Sequence, residues 1–136
     1  MTFLDLKGRK KTLKKATQYL IDWNAKTRSK FQDSVKQFLR PHWERDQVFE
    51  ELRIVGTLCT FDLYNATSRV VCEIQGSQHG AYNKFFHRGS KMNFVAQIKR
   101  DLDKHEFCRL NNITLVEIMP KDKLSEKLFA DQGVIL

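Results

Sequence analysis

Two hydrophobic periods alternate along this chain, and their order predicts the elements. Ala16 to Asn24 sets Tyr19, Leu20 and Trp23 at helical spacing, which predicts a short amphipathic helix. A second helix is expected from about Lys30 to Leu39, where Phe31, Val35, Phe38 and Leu39 share one face. Pro41 marks its expected end, because proline disfavours a helical residue before it, with room for a further turn at His42, Trp43 and Glu44. The period then shortens. Val48–Val55, Leu58–Tyr64 and Arg69–Gln75 read as three strands joined by short turns, the first ended by Gly56-Thr57. Gly76 to Met92 follows as a long loop, and long loops in compact domains are usually binding or active-site segments. Asn93 is expected to cap a helix running to Leu110, with Phe94, Ile98, Leu102 and Phe107 as its buried stripe. Asn111-Asn112 breaks that helix, and Ile113–Ile118 is a strand in which only Thr114 and Glu117 are polar. A strand after a crossover helix pairs parallel to an earlier one. The expected fold is therefore α/β, with a mixed sheet of about four strands (a meander plus the strand after the crossover helix) flanked by helices. Pro120 stops the last strand, and the tail holds one short helix before ending apolar at Val134-Ile135-Leu136. That end would pack on the core or on a second subunit.

Length and charge narrow the class. A chain of 136 residues without repeats or low-complexity linkers suits one domain, residues 1–136, with residues 1–28 as a basic N-terminal arm or helix. A net charge of +8 points to a polyanionic partner. Lys7, Arg9, Lys10, Lys11, Lys14 and Lys15 form a run that would touch phosphates without reading sequence, or else stand as a solvated face. No apolar run approaches the roughly 20 residues that span a bilayer, and the opening MTFLDLK turns basic too soon for a secretory signal. Cys59, Cys72 and Cys108 have neither disulfide nor zinc-site spacing and read as reduced thiols of a cytoplasmic protein.

The chemistry gathers between Phe61 and His79, in the string FDLYNATSRVVCEIQGSQH. Asp62 interrupts one strand, while Glu73 and Gln75 share a face of the next, because strand side chains alternate. A turn at Asn65-Ala66-Thr67-Ser68 brings Asp62 beside them, with His79 just past Gly76. Two carboxylates at one edge suit a hard divalent cation such as Mg²⁺, and the Ile74 carbonyl is a candidate third ligand. Polar-out alternation alone would leave the same carboxylates merely solvated. Gln75 can orient water or phosphate but cannot take a proton, so the general base falls to His79. Lys84, His87, Arg88 and Lys91 lie downstream as candidate phosphate contacts. Gln97, Asp101 and Lys104 share a helix face at i, i+4 and i+7, a spacing that ordinary surface ion pairs also produce.

The pattern D-x10-E-x-Q on adjacent strands resembles the metal site of PD-(D/E)XK nucleases, with glutamine in the lysine position. The longer string E-I-Q-G-S-Q-H, followed by Tyr82-Asn83-Lys84-Phe85-Phe86-His87, resembles small phage-type homing endonucleases of the EDxHD group, whose fold is shared with the very-short-patch mismatch repair nuclease. The likeness covers about residues 31–119. It implies a restriction-endonuclease-like core and a Mg²⁺ site, with Mn²⁺ able to substitute, at Asp62, Glu73 and Ile74. It also implies a glutamate near Glu50 and Glu51. Strand parity cannot choose between those two, and we favour Glu51. On the following helix it implies an orienting Gln97, an acidic Asp101 and a phosphate-contacting Lys104. The expected activity is metal-dependent hydrolysis of phosphodiesters in double-stranded DNA, site-specific and of homing type, without a small-molecule cofactor. A homodimer would cut both strands and a monomer would nick. The alternatives are a structure-selective nuclease (a junction resolvase or mismatch nickase) and a DNA-binding module with an inactive core. If phage-encoded, the protein would work in the host cytoplasm.

Overall fold

The computed structural model describes residues 1–75 and 91–136, apart from the side chains of Lys91 and Asn93. At its centre is a four-stranded sheet in the order β3-β4-β5-β6, formed by Val48–Arg53, Thr60–Asn65, Val70–Ile74 and Thr114–Ile118. The first three strands are antiparallel neighbours, and β6 runs parallel to β5. Helix α1 (Lys30–Trp43) precedes the sheet, α2 (Lys91–Leu110) lies between β5 and β6, and α3 (Glu126–Ala130) follows. The fold is α/β with a mixed sheet and flanking helices, as the alternating periods predict.

Each face of the sheet closes its own core. On one face, Val35, Leu39 and Trp43 of α1 and Phe129 of α3 pack on Val48, Leu63, Val70, Cys72, Val116 and Ile118. On the other, Phe107 and Cys108 of α2 meet Phe49, Leu52, Phe61, Tyr64 and Val71. Val134 and Leu136 join the first core, which uses the apolar chain end within this molecule.

Four expectations need correction. Helix α1 does not stop before Pro41 but continues through it to Trp43, and Glu44 N–H still bonds Arg40 O at 2.9 Å. An interior proline costs about 3 kcal/mol. Burying the Trp43 ring offsets this, since a tryptophan removes roughly 150–250 Å² from water at about 25 cal/mol per Å². The helix expected at Ala16–Asn24 is only a 3-10 turn, Ala16–Tyr19. Leu20 then bridges Phe49, and Ile21 N–H bonds Val48 O at 3.0 Å. The open edge of β3 offers this segment backbone partners, which outweigh its helical spacing.

The N-terminal residues form neither a free arm nor a helix. They make an antiparallel hairpin of β1 (Thr2–Leu4) and β2 (Lys10–Thr12). The Asp5 carboxylate accepts the N–H groups of Lys7 and Arg9, each at 2.9 Å, across a turn completed by Gly8 at φ +77°. Phe3 buries against Tyr64 and Phe107, and Asn111 bonds both backbone groups of Leu4.

The last correction concerns α2. Phe107 and Cys108 are its buried residues, whereas Ile98 is 42% and Leu102 63% exposed. A helix of 20 residues is about 30 Å long and a strand of five about 17 Å, so the sheet cannot cover the whole helix. Among the described residues, no helix is long and apolar enough to cross a membrane.

Candidate active site

The site lies in one transverse row of the sheet. In the β3–β4 ladder, Val48, Phe49 and Glu50 pair with Asn65, Tyr64 and Leu63, and Leu52 and Arg53 pair with Phe61 and Thr60. The register is the same on both sides of Glu51, yet Glu51 and Asp62, which face each other, do not pair. The β4–β5 ladder stops at Leu63–Cys72, one step before Asp62 would meet Glu73. Side-chain alternation breaks in the same row. Phe49 and Leu52, three positions apart, belong to one core, and so do Phe61 and Tyr64. Strict alternation would put each pair on opposite faces. Each strand therefore switches faces once, β3 at Glu51 and β4 at Asp62. The backbone of Glu51 shows the switch as φ +54°, a conformation that costs a non-glycine residue about 1–3 kcal/mol.

Carboxylates fill the gap that the ladder leaves. Asp62 N–H donates to Glu73 Oε2 at 2.8 Å, and Ile74 N–H donates to Asp62 Oδ2 at 2.8 Å. Each strand thus satisfies a backbone donor of its neighbour with a side chain. Lys104 of α2 donates its ammonium to the other oxygen of Glu73. On the far side of Asp62, Glu51 accepts from Gln32 Nε2 at 3.4 Å and from Thr60 Oγ1 at 3.3 Å. The row forms the wall of a cleft of about 610 Å³, completed by Arg28, Leu58, Cys59, Ile74, Gln75, Gln97, Arg100 and Asp101.

Burial sets the electrostatics. Glu73 is only 4% exposed, and that burial, reinforced by the Asp62 charge, pushes its pKa up to about 7 against the pull of Lys104. Burial and the nearby Glu51 charge raise Asp62 as well, opposed by its hydrogen bond from Ile74. Burial alone would lower Lys104, but Glu73 beside it reverses the sign and holds the ammonium charged. Two carboxylates that resist ionising together, next to one cation, make an arrangement that further positive charge would relieve.

Of the residues singled out from the sequence, Glu51, Asp62, Glu73, Ile74, Gln75, Gln97, Asp101 and Lys104 all line this cleft. Glu50 does not line it. Its carboxylate lies 3.1 Å from Lys36 Nζ, an ammonium with no exposed surface on α1. His79, Lys84, His87 and Arg88 lie outside the described residues, as does the Lys91 side chain. The basic residues Lys7, Arg9, Lys10, Lys11, Lys14 and Lys15 are exposed on or beside the hairpin. Lys11 reaches to the β3–β4 turn at Gly56, close to the Leu58 and Cys59 that rim the cleft. The sequence reading misses Arg28 and Thr60 and leaves Arg100 on an ordinary solvated helix stripe. Alternation along β4 would have drawn in Thr60 two positions from Asp62, whereas nothing local marks Arg28.

The donor set suits a hard divalent cation in kind. Among the described residues, no group of three or more His, Cys, Asp or Glu side chains is placed to hold a metal ion. Mg²⁺, however, usually keeps several waters and is bound through only one or two carboxylates. Asp62 and Glu73 supply that number, and their raised pKa values give them reason to accept a cation.

Two viral proteins are similar to this chain. It is 34% identical over 73 residues to uncharacterized protein 033L of Invertebrate iridescent virus 3, a stretch covering 54% of this chain and 37% of that protein. It is 32% identical over 63 residues to uncharacterized protein 094L of Frog virus 3 (isolate Goorha), covering 46% and 41% respectively. The match therefore spans less than half of either relative. No family model and no solved structure matches the chain.

Proposed function

We propose that this chain is a metal-dependent DNA endonuclease that hydrolyses phosphodiester bonds, with Asp62, Glu73 and Lys104 at its centre. The observation that carries the reading is the pair of adjacent carboxylates, Glu73 buried and Asp62 half-buried, each accepting a backbone N–H of the other's strand and closed by a lysine, in the wall of a cleft. Asp62 and Glu73 would hold Mg²⁺ or Mn²⁺, with Ile74 and Glu51 beside them. When bound, that ion supplies charge neutralisation and a water of lowered pKa. The remaining work belongs to the chain. Lys104 balances Glu73 and stands within the cleft to hold a phosphate oxygen. Gln75 and Gln97 orient, since an amide both donates and accepts but takes no proton. We assign the base to His79 on its chemistry, and Asp101 stands as the acid.

The basic hairpin and the charges at Lys84, His87, Arg88 and Lys91 would carry the DNA backbone. In this reading the substrate is double-stranded DNA and recognition is site-specific, of homing type within the PD-(D/E)XK nucleases. A homodimer supplies one site per strand. We place the activity in the cytoplasm of an infected cell, because both relatives are viral and the described cysteines are free thiols.

Cleavage of supercoiled plasmid by wild type and Asp62→Ala, with Mg²⁺ or EDTA, tests the reading. Discrete fragments from the wild type alone, lost in EDTA, are expected. If no duplex is cut while branched DNA is bound tightly, a resolvase or an inactive binding module replaces the proposal.

A further inference from the structure

We propose that Arg28 and Arg100 grip the phosphates on either side of the bond being cut, one from each wall of the cleft. The inference rests on the endonuclease reading and adds two positioning residues to it. Arg28 comes just before Ser29, the N-cap of α1, and α1 covers one face of the sheet. Arg100 belongs to α2, which covers the other face. Both nevertheless line the same cleft, one reaching it from the side of each helix.

Neither arginine is committed to a strong partner. The Arg28 side chain is 83% exposed, and its nearest carboxylate, on Glu51, is 3.9 Å away. An exposed pair at that distance contributes little, so the guanidinium can exchange it for another anion. Arg100 is exposed and makes no ion pair among the described residues. It also lies one helical turn before Lys104, and like charges at that spacing oppose each other. Lys104 is satisfied by Glu73. Among the described residues Arg100 has no counter-charge, and an anion entering the cleft supplies one.

Position within the cleft separates the roles. Glu73 is the buried charged group of the cleft and Asp62 and Lys104 beside it are half-buried, while the two arginines are exposed. A planar guanidinium meets a phosphate through two parallel hydrogen bonds, which fixes direction as well as distance. Two such forks on opposite walls hold a backbone strand across the buried row, with the scissile phosphate lowered toward Lys104. The bland reading is that Arg28 merely balances Glu51 and Arg100 is solvated. That reading predicts no dependence on particular phosphates.

The test uses the full chain and two readouts. In EDTA, the affinity for a duplex oligonucleotide is measured against salt for the wild type, Arg28→Gln, Arg100→Gln and the double variant. Each lost phosphate contact should lower the slope of log K against log salt by about 0.9, and the double variant by about twice that. Arg28→Lys should keep the slope. In Mg²⁺, duplexes carrying one neutral methylphosphonate linkage on either side of the mapped cut are then compared. The wild type should be slowed by both substitutions. Arg28→Gln should become indifferent to one of them and Arg100→Gln to the other, because each pair acts as a unit. Unchanged slopes, or full sensitivity to both linkages in both variants, overturn the proposal even if the wild type cuts. A falling slope in a protein that never cuts supports the phosphate contacts and removes the nuclease reading instead.

Discussion

At one end of the β4–β5 pair, Asn65–Val70, Tyr64–Val71 and Leu63–Cys72 are joined in a regular ladder and buried on both faces. One step further, Asp62 and Glu73 occupy the same register but are joined through their carboxylates and open onto a cleft. The first end is held by backbone amides, apolar packing and the Asn65 amide, none of which titrates near neutral pH. The second is held by groups that accept a proton, a cation or a backbone N–H in competition. In the proposed function, acid–base and metal chemistry enters this sheet where backbone pairing gives way to side-chain pairing. Burying two carboxylates side by side costs stability, and Lys104 offsets part of it.

If the two ends differ as described, substitutions at them should fail in different ways. The largest expected effect is on cleavage. Glu73→Gln keeps the shape and the acceptor for Asp62 N–H but removes the charge, and it should slow DNA cleavage at least about a thousandfold, or about 4 kcal/mol. Its circular dichroism should stay that of the wild type. At the closed end the balance reverses. Leu63→Ala, in a fully buried position, should cost about 2–5 kcal/mol in urea unfolding while the folded fraction keeps its cleavage rate.

A smaller effect is read in pH. The Glu73 pKa rises from 4.5 to about 7 on folding, so across that window the folded chain binds more protons than the unfolded one. Stability should therefore fall as pH rises from about 4.5 to about 7, then level off. Asp62, also raised, adds the same sign. Melting curves in EDTA should show this decline, and Glu73→Gln should flatten it. A melting temperature that climbs through the window would contradict the assignment. The smallest effect belongs to Glu117, which pairs with Glu73 in the same row but contacts His105 on the solvent side. Glu117→Gln should change unfolding by no more than about 1 kcal/mol and leave cleavage near the wild-type rate.

Much of the fold was legible because it follows period and order. Alternating strands, a crossover helix and a last apolar strand leave few topologies. The failures share one cause, which is that a tertiary partner overrides a local signal. Nothing in KGRKKTLKK alternates, and it becomes a hairpin because Phe3 finds Tyr64 and Phe107. Pro41 should end a helix, but Trp43 beyond it has a core to enter. Ile98 and Leu102 have helical spacing but, among the described residues, no strand packs over them and both are exposed. At the site, turn length and alternation were enough to bring Asp62 to Glu73. They could not decide between Glu50 and Glu51, because the alternation on which that choice depends breaks at Glu51 itself. The shared face of Gln97, Asp101 and Lys104 was visible at i, i+4 and i+7. That Lys104 is the one to reach Glu73 depends on how α2 lies over the sheet.

Calorimetric titration of Mn²⁺ into the wild type and Glu73→Gln, read without any DNA, tests the central claim most directly. The account predicts that the wild type binds Mn²⁺ above pH 7, that below it binding releases protons and affinity weakens by about tenfold per pH unit as Glu73 becomes protonated, and that Glu73→Gln does not bind. A folded wild type that takes up no Mn²⁺, or a Glu73→Gln that binds it equally well, would contradict the assignment of a cation site to the open end of the β4–β5 pair.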